Sequence, residues 1–429
     1  MVNKDSIKEI IIEYQKLIPR IQLIERDIQI DPTPNYTFVG LRRAGKSYMM
    51  FADIQRLLNN HDKKIDDILY INFEDERLLD MQSEDLKMIL DCYREMFDNP
   101  SPFIYFDEIQ NIPGWEKYVR RLADTGYRVW VTGSNAKMLS RDIATILGGR
   151  FLIKYIPPFS FREFLKYKNI TVSNRWKYDF EEKIVLKKEL DEYFHFGGLA
   201  GVFNLIEKRE WTNSLYQKIL FGDIIARNGY RNDRALALLV RKLAESVKQP
   251  STHSRLLNIL KSTGAILSRN TIADYIGSLN SAYLTFPVYN YRHSLAERVN
   301  ECKHYFSDNG ILNLFLTDPN TSLLENLVAI ELLNRFHYLK GENIYYFRNG
   351  IEVDFYIPET KTAVQVAYAF NDDETLEREL SALIKFSKIS EVKSAYIVTY
   401  DMPSQVVERA GLSVKIIPLL EFLLHPFDA

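Results

Sequence analysis

Gly40-Leu41-Arg42-Arg43-Ala44-Gly45-Lys46-Ser47 follows a short apolar run, Tyr36–Val39, and leads into a helical pattern from about Lys46 to Leu58. The eight residues have the form GxxxxGK[ST]. Glycines let the backbone curl so that successive N–H groups converge on phosphate oxygens. A helix opening at this point adds the positive end of its dipole. Lys46 would reach the β- and γ-phosphates, and the Ser47 hydroxyl would ligate Mg²⁺. The phosphate-binding candidates are therefore Gly40, Arg42, Arg43, Ala44, Gly45, Lys46, Ser47 and Tyr48. The alternative is a glycine turn with a surface lysine. The strand before the loop and the helix after it favour the phosphate cradle.

Beyond the loop, apolar runs at Ile68–Phe73, Phe103–Phe106 and Tyr127–Thr132 alternate with helical patterns at about Ser83–Phe97 and Trp115–Asp124. Such alternation predicts a parallel sheet covered on both faces. Residues 6–25 carry an amphipathic helical pattern with Ser6 as the expected N-cap. Phe103-Ile-Tyr-Phe106 ends in Asp107-Glu108, 61 residues after Lys46. Asp107 would hold Mg²⁺ at the carboxyl end of the sheet, and Glu108 would act as general base toward a water. The alternative there is an ordinary acidic turn.

The next strand ends in Gly133-Ser134-Asn135, so Ser134 or Asn135 is a candidate to sense the γ-phosphate or orient the water; a plain β-turn is the alternative. Arg150 follows Gly148-Gly149 and is either an arginine finger for a neighbouring subunit's nucleotide or a solvated side chain. The catalytic candidates are thus Glu108, Lys46, Arg150, Asn135 and Ser134, with Ser47 and Asp107 for the metal.

Further blocks accompany these: VTGSNAKML, LGGRF…PPFSFREFL, FGGLAGV, KHYFSDNG and FRNGIEVDF. Together with GLRRAGKS and FIYFDEIQ they resemble the prokaryotic AAA+ superfamily ATPases that pair an AAA-14 domain with a DUF4143 region, over nearly the whole chain. That resemblance implies an AAA+ α/β core with ATP as its nucleotide, a small helical lid and a winged-helix-like portion. It also implies that a homo-oligomer would bring in a neighbour's arginine.

Residues 211–290 hold ten Lys/Arg against four acids, an excess of six in a chain whose totals are 55 and 57. Leu256, Leu257 and Leu260 predict one helix. Thr263-Gly264 predicts a turn, and Ser268 caps a second helix with Ile272, Ile276 and Leu279 facing inward. Tyr283–Tyr289 reads as a wing strand. Helix, turn, helix fits DNA recognition, with Arg269, Asn270, Asp274 and Ser278 on the outer face. Such units also serve as packing modules only.

Toward the C-terminus, Ile351–Ile357 alternates, with Val353 and Phe355 on one face and Glu352 and Asp354 on the other. A second strand at Ala363–Tyr368 follows, and Glu325 sits on a preceding helix. This layout resembles the PD-(D/E)XK nuclease core, which binds Mg²⁺ through an acid on one strand and acid-x-lysine on the next. Here Gln365 and Ala367 stand at the second acid and the lysine, so the expected domain is nuclease-like and inactive, unless a lysine is relocated.

Composition narrows the field. With 429 residues, 46% hydrophobic and 26% charged, the chain suits about three globular domains. Two cysteines, Cys92 and Cys302, are too few for a disulfide framework. Neither a signal-peptide core nor an 18-residue apolar run is present, so the expectation is a cytoplasmic protein off the membrane. The expected fold class is α/β: a P-loop AAA+ parallel-sheet core (1–157), a helical lid (158–210), a basic winged-helix-like region (211–302) and a restriction-endonuclease-like α/β region (303–429). The expected function is an ATPase using ATP and Mg²⁺ that acts on DNA through 211–302. A nucleotide-gated switch with a protein partner is second, and a DNA nuclease third.

Overall fold

The computed structural model describes residues 3–134, 146–265, 267–336, 343–369 and 373–425. The chain divides into two compact units, Met1–Pro157 with Ser281–Tyr283, and Pro158–Asn280 with Leu284–Ala429.

The first unit is built on β1 (Asn35–Val39), β2 (Ile68–Asn72), β3 (Phe103–Asp107), β4 (Val129–Gly133) and β5 (Phe151–Tyr155), all paired in parallel in the order β2-β3-β4-β1-β5. Its helices are α1 (Lys4–Leu17), α2 (Lys46–Asn59), α3 (Leu86–Met96) and α4 (Trp115–Asp124). Successive strand side chains point to opposite faces. Leu69, Ile71, Ile104, Phe106, Val129 and Val131 therefore pack with Ile7, Ile10, Ile89 and Val119 from α1, α3 and α4. Tyr36, Phe38, Ile68, Tyr70, Tyr105 and Trp130 pack with Met50, Ile54 and Leu57 of α2. Both faces are covered, which is why the strands read as unbroken apolar runs. Each fully buried aliphatic or aromatic side chain contributes about 1.5–3 kcal/mol.

The N-terminal helix differs from the expected 6–25. Asn3 caps it, with its side chain accepting from the Asp5 N–H, and α1 ends at Leu17. Pro19 lacks an N–H and its ring crowds the preceding turn, so the chain tightens into a short 3₁₀ turn at Ile18–Arg20. Ser6 lies inside the helix.

The second unit contains α5 (Phe161–Tyr167), α6 (Phe180–Phe196), α7 (Lys208–Gln217), a π-helical stretch at Lys218–Ala226, α8 (Asp233–Glu245), β6 (Ser251–Thr252), α9 (His253–Ser262) and α10 (Arg269–Ser281). It continues through β7 (Thr285–Asn290), α11 (Leu295–Asn300), β8 (Glu301–Phe306), α12 (Asn309–Asn313), α13 (Asn320–Arg335), β9 (Tyr345–Arg348), β10 (Glu352–Ile357) and β11 (Thr362–Ala367). Last come α14 (Asp373–Ser387), β12 (Ser394–Thr399), β13 (Gln405–Arg409), β14 (Leu412–Pro418) and α15 (Leu419–Leu424). One mixed sheet links them in the order β13-β14-β12-β11-β10-β9-β7-β8-β6. Residues 158–210, expected as a lid, cluster with this unit, and the expected division at 302/303 falls inside β8.

Three sequence blocks meet in this unit. Asp308 accepts from the Gly198 N–H at 2.8 Å and from the Ile311 N–H at 3.2 Å. The Phe159 N–H donates to Gly198 O at 2.7 Å. A Cβ on Gly198 would stand 2.1 Å from Phe159 O, and one on Gly197 2.3 Å from an Asp308 oxygen. Only glycine fits either place. The PPFSF, FGGLAG and FSDNG blocks are thus tied by backbone packing. Among the described residues no helix is long and apolar enough to cross a membrane.

Candidate functional site

The phosphate-loop sequence lies between the end of β1 and the start of α2. At Gly40, φ is +150° and an added Cβ would meet Ile156 O at 2.3 Å, so a side chain there is excluded. Gly45 takes φ +101° as the N-cap of α2, and Arg43 takes φ +68°. Lys46, only 4% exposed, donates to Gly40 O at 3.2 Å and Leu41 O at 3.3 Å. Its Nζ is 3.5 Å from Glu108 Oε1. Ser47 is half-buried in the first turn. Arg42 pairs with Glu74 at 2.5 Å, Ala44 is buried, and Arg43 and Tyr48 are exposed.

β3 delivers the carboxylates. Buried Asp107 accepts from Tyr70 Oη at 2.6 Å and from Thr132 Oγ1. Glu108 stands in the left-handed region at φ +52° and its N–H donates to Thr132 Oγ1 at 2.8 Å. Gln110 Nε2 donates to its carboxylate. Burial pushes the Asp107 carboxyl above the usual carboxylate range, and the neighbouring Glu108 charge adds to it, while the Ser47, Thr132 and Tyr70 hydroxyls pull it back. For Glu108 burial again opposes the charge, but Lys46, Gln110, Arg42 and Ser134 together hold its carboxyl below the usual range. A cation beside Asp107 would relieve the burial that raises it, while Glu108 stays ionised.

Lys46, Ser47, Asp107, Glu108 and buried Ser134 are brought to the carboxyl ends of β1, β3 and β4. Asn135 lies outside the described residues. Arg150 is not brought there. It precedes β5, whose Phe151 pairs with Asn35 at the start of β1, while the loop follows Val39 at the other end. Four strand residues at about 3.3 Å each separate the two ends, roughly 13 Å. Arg150 is ion-paired with Asp124 instead.

Three side chains escaped the sequence reading. Thr132, two residues before Ser134, bridges Asp107 and the Glu108 N–H. Tyr70 reaches Asp107 from β2. Arg26 donates to Ala44 O at 3.1 Å and Pro157 O at 2.8 Å, bracing the loop from a coil segment. No local pattern marks any of them.

In the second unit, α9 and α10 flank Thr263-Gly264, with Gly264 at φ +86°. Ser268 Oγ accepts from the Thr271 N–H at 3.1 Å, capping α10. Leu256, Leu260, Ile272, Ile276 and Leu279 are buried. Arg269, Asn270 and Asp274 are exposed, and so are Arg255 and Lys261. Ser278 departs from expectation: it is half-buried and hydrogen-bonded to Tyr230 Oη at 2.7 Å, because Tyr230 packs across α10. Farther on, Asp354 Oδ2 accepts from the Val366 N–H at 2.9 Å. Gln365 Oε1 accepts from the Asp354 N–H at 2.7 Å, and its Nε2 donates to Glu379 at 2.6 Å.

Residues 33–165 match the family profile described as an AAA domain (AAA_14). Residues 187–322 match a domain of unknown function, DUF8612, rather than the DUF4143 region that the motif blocks imply. An uncharacterised protein of Methanocaldococcus jannaschii is 35% identical over 415 residues, covering 94% of this chain and 90% of that protein. One from Haemophilus influenzae is 29% identical over 82% of this chain and 87% of its own length. Among solved structures, a Walker-type ATPase of Pyrococcus abyssi is 13% identical with a TM-score of 0.41, over 73% of this chain and 96% of that one. The ORC2 protein of Aeropyrum pernix, solved in ADPNP–ADP complexes, is 12% identical with a TM-score of 0.39, over 78% and 94%.

Proposed function

Because the chain belongs to the family of the Methanocaldococcus jannaschii protein and carries an AAA domain, we propose that it is an AAA+ ATPase that couples nucleotide state to DNA binding. The observation that carries the ATPase half is the convergence of Lys46, Asp107 and Glu108 on one sheet end. With Mg²⁺ and ATP bound, the nucleotide supplies an electrophilic γ-phosphoryl group. The Gly40–Gly45 backbone cradles phosphate, and Lys46 exchanges its bonds to Gly40 O and Leu41 O for phosphate oxygens. Ser47 and Asp107 hold the cation. Glu108, kept ionised, takes the proton from the attacking water. Thr132 fixes the Asp107 carboxylate against the Glu108 backbone, so metal and base keep their spacing. Arg150 serves only a neighbouring copy in a homo-oligomer.

The DNA half rests on topology. The order α8-β6-α9-α10-β7-α11-β8, with β8 paired to both β6 and β7, supports a winged-helix-like reading in which α11 is inserted before the last strand. Arg269 and Asn270 open its second helix on an exposed face, with exposed Lys261 beside the turn and exposed Arg255 in the first turn of α9. The test is steady-state ATP hydrolysis with Mg²⁺, with and without duplex and single-stranded DNA, with Lys46→Ala as blank. Several-fold stimulation that weakens with salt supports the coupling. A second reading, a nucleotide-gated switch for a protein partner, is favoured by exposed apolar side chains such as Ile206, Tyr178 and Leu295. Turnover indifferent to DNA but abolished in Lys46→Ala selects it.

A further inference from the structure

The run α13-β9-β10-β11-α14-β12 sets Glu325, Glu352 and Asp354 around one point, and a nuclease-like core implies a divalent cation there. The residues present do not fit one. Lys303, from β8, fills the place: its Nζ lies 3.1 Å from Glu325 Oε1, 3.2 Å from Glu352 Oε1 and 3.3 Å from Asp354 Oδ1. The lysine side chain is wholly buried, and the Tyr346 ring lies 5.6 Å from the ammonium.

We propose that Lys303 is the resident cation of this acidic cluster, an internal ammonium in place of a divalent metal, which closes the second unit to metal-dependent phosphodiester cleavage. Donors and acceptors match. An ammonium has three N–H donors and no acceptor; two go to Glu325 Oε1 and Asp354 Oδ1, and the Glu352 carboxylate completes the set as an ion pair. Two of the carboxylate oxygens carry a further bond, and the glutamine beside them is saturated. Asp354 Oδ2 takes the Val366 N–H, Glu325 Oε1 also takes the Tyr305 hydroxyl at 2.7 Å, and Gln365 spends its amide on the Asp354 N–H, Glu352 O and Glu379. Few lone pairs are left for a hard cation, which needs about six oxygens, and a buried ammonium repels one directly.

The arrival of Lys303 follows from the sheet. β8 stands three places from β10 in the strand order, and β7 meets β9 only through Tyr289–Tyr345 and Asn290–Tyr346. β8 nevertheless brings Lys303 to the carboxylates of β10 and α13. The same lysine therefore staples the strands of the winged-helix-like region to α13 and β10. This inference does not depend on the ATPase reading.

The test is Mn²⁺ binding to the nucleotide-free full chain, followed by electron paramagnetic resonance, in an Asp107→Asn background that silences the phosphate-loop site. The parent should take up no Mn²⁺ that Asp354→Asn removes. Lys303→Gln should acquire a site at least about tenfold tighter than any in the parent, lost again when Asp354→Asn is added. Mn²⁺ should raise the melting temperature of Lys303→Gln and not that of the parent. Should Lys303→Gln fold only with Mn²⁺, the inference stands; should it not fold at all, the parent measurement decides. The inference fails if the parent binds Mn²⁺ through Asp354, if a folded Lys303→Gln binds no more than the parent, or if the unmutated chain nicks plasmid DNA with Mg²⁺ in an Asp354-dependent way.

Discussion

Lys46 and Lys303 are both buried lysines that face carboxylates, and their partners differ. Lys46 has two backbone carbonyls and one carboxylate at 3.5 Å. Lys303 has three carboxylates between 3.1 and 3.3 Å. Carbonyl bonds are exchanged for phosphate oxygens at a net gain, because the acceptor then carries a full charge opposite to the ammonium rather than a carbonyl dipole. The ion pairs of Lys303 have no such exchange open to them, since leaving would strand the buried Glu325 and the largely buried Asp354 without a counter-charge. One lysine is therefore available to a ligand, and the other is spent inside the fold.

The sharpest way to break this contrast is to remove each ammonium and read turnover and stability separately. Lys46→Ala should lower ATP turnover by about 10³-fold or more, the scale for losing a preorganised charge at a transferring phosphoryl group, and leave the melting temperature almost unchanged. Glu108→Gln should retain nucleotide yet slow hydrolysis by about 10²–10⁴-fold. Normal hydrolysis by Glu108→Gln would place the base elsewhere. Lys303→Met should do the reverse of Lys46→Ala. It breaks a buried ion-pair set and should cost about 3–5 kcal/mol of stability in denaturant titration. A loss below about 1 kcal/mol would mean that the three carboxylates are not held by this ammonium.

A smaller effect sharpens the picture of the first site. Thr132 joins Asp107 to the Glu108 N–H. Thr132→Val should leave two buried groups without that partner, worth about 1–3 kcal/mol, read as a roughly 10–100-fold slower turnover. Thr132→Ser should restore most of it. Equal rates for valine and serine would reduce Thr132 to a packing residue.

What the sequence made legible divides along the same line. Gly40–Ser47 and Asp107-Glu108 are contiguous, so strand–loop–helix punctuation and an acidic strand end suffice to find them. The alternation of apolar runs revealed the parallel core for the same reason. Thr132, Tyr70 and Arg26 reach the site only through the pairing of β2, β3 and β4 and through a coil crossing the loop, and none has a local signature. Lys303 was illegible for a stronger reason. The acid-x-lysine pattern directs attention to position 367, two residues along β11, whereas the ammonium arrives from β8 across a seam of two residue pairs. Domain limits suffered likewise: the basic excess of residues 211–290 suggests a boundary soon after it, but sheet hydrogen bonding runs through 302/303.

Asp308 offers the smallest test, and it sets a third buried charge beside the two lysines. Among the described residues its carboxyl accepts backbone N–H bonds from Gly198, Ile311, Gly310 and Leu199; burial outweighs them and pushes it from 3.8 up to about 6. An acid raised in this way binds its proton more tightly in the folded chain than in the unfolded one. Its contribution to stability is present in full below the unfolded value near 3.8 and is lost as pH rises through about 6. Over that window the loss is on the order of 1–2 kcal/mol. Asp308→Asn keeps an acceptor oxygen for the loop N–H groups and removes the titration. Urea midpoints between pH 4.5 and 7.5 should therefore fall less steeply with pH in Asp308→Asn than in the parent, even where the variant is the less stable of the two. Parallel curves would show that the Gly198 and Ile311 N–H groups compensate the buried charge fully, and that the glycine pair is kept for its close backbone approach alone.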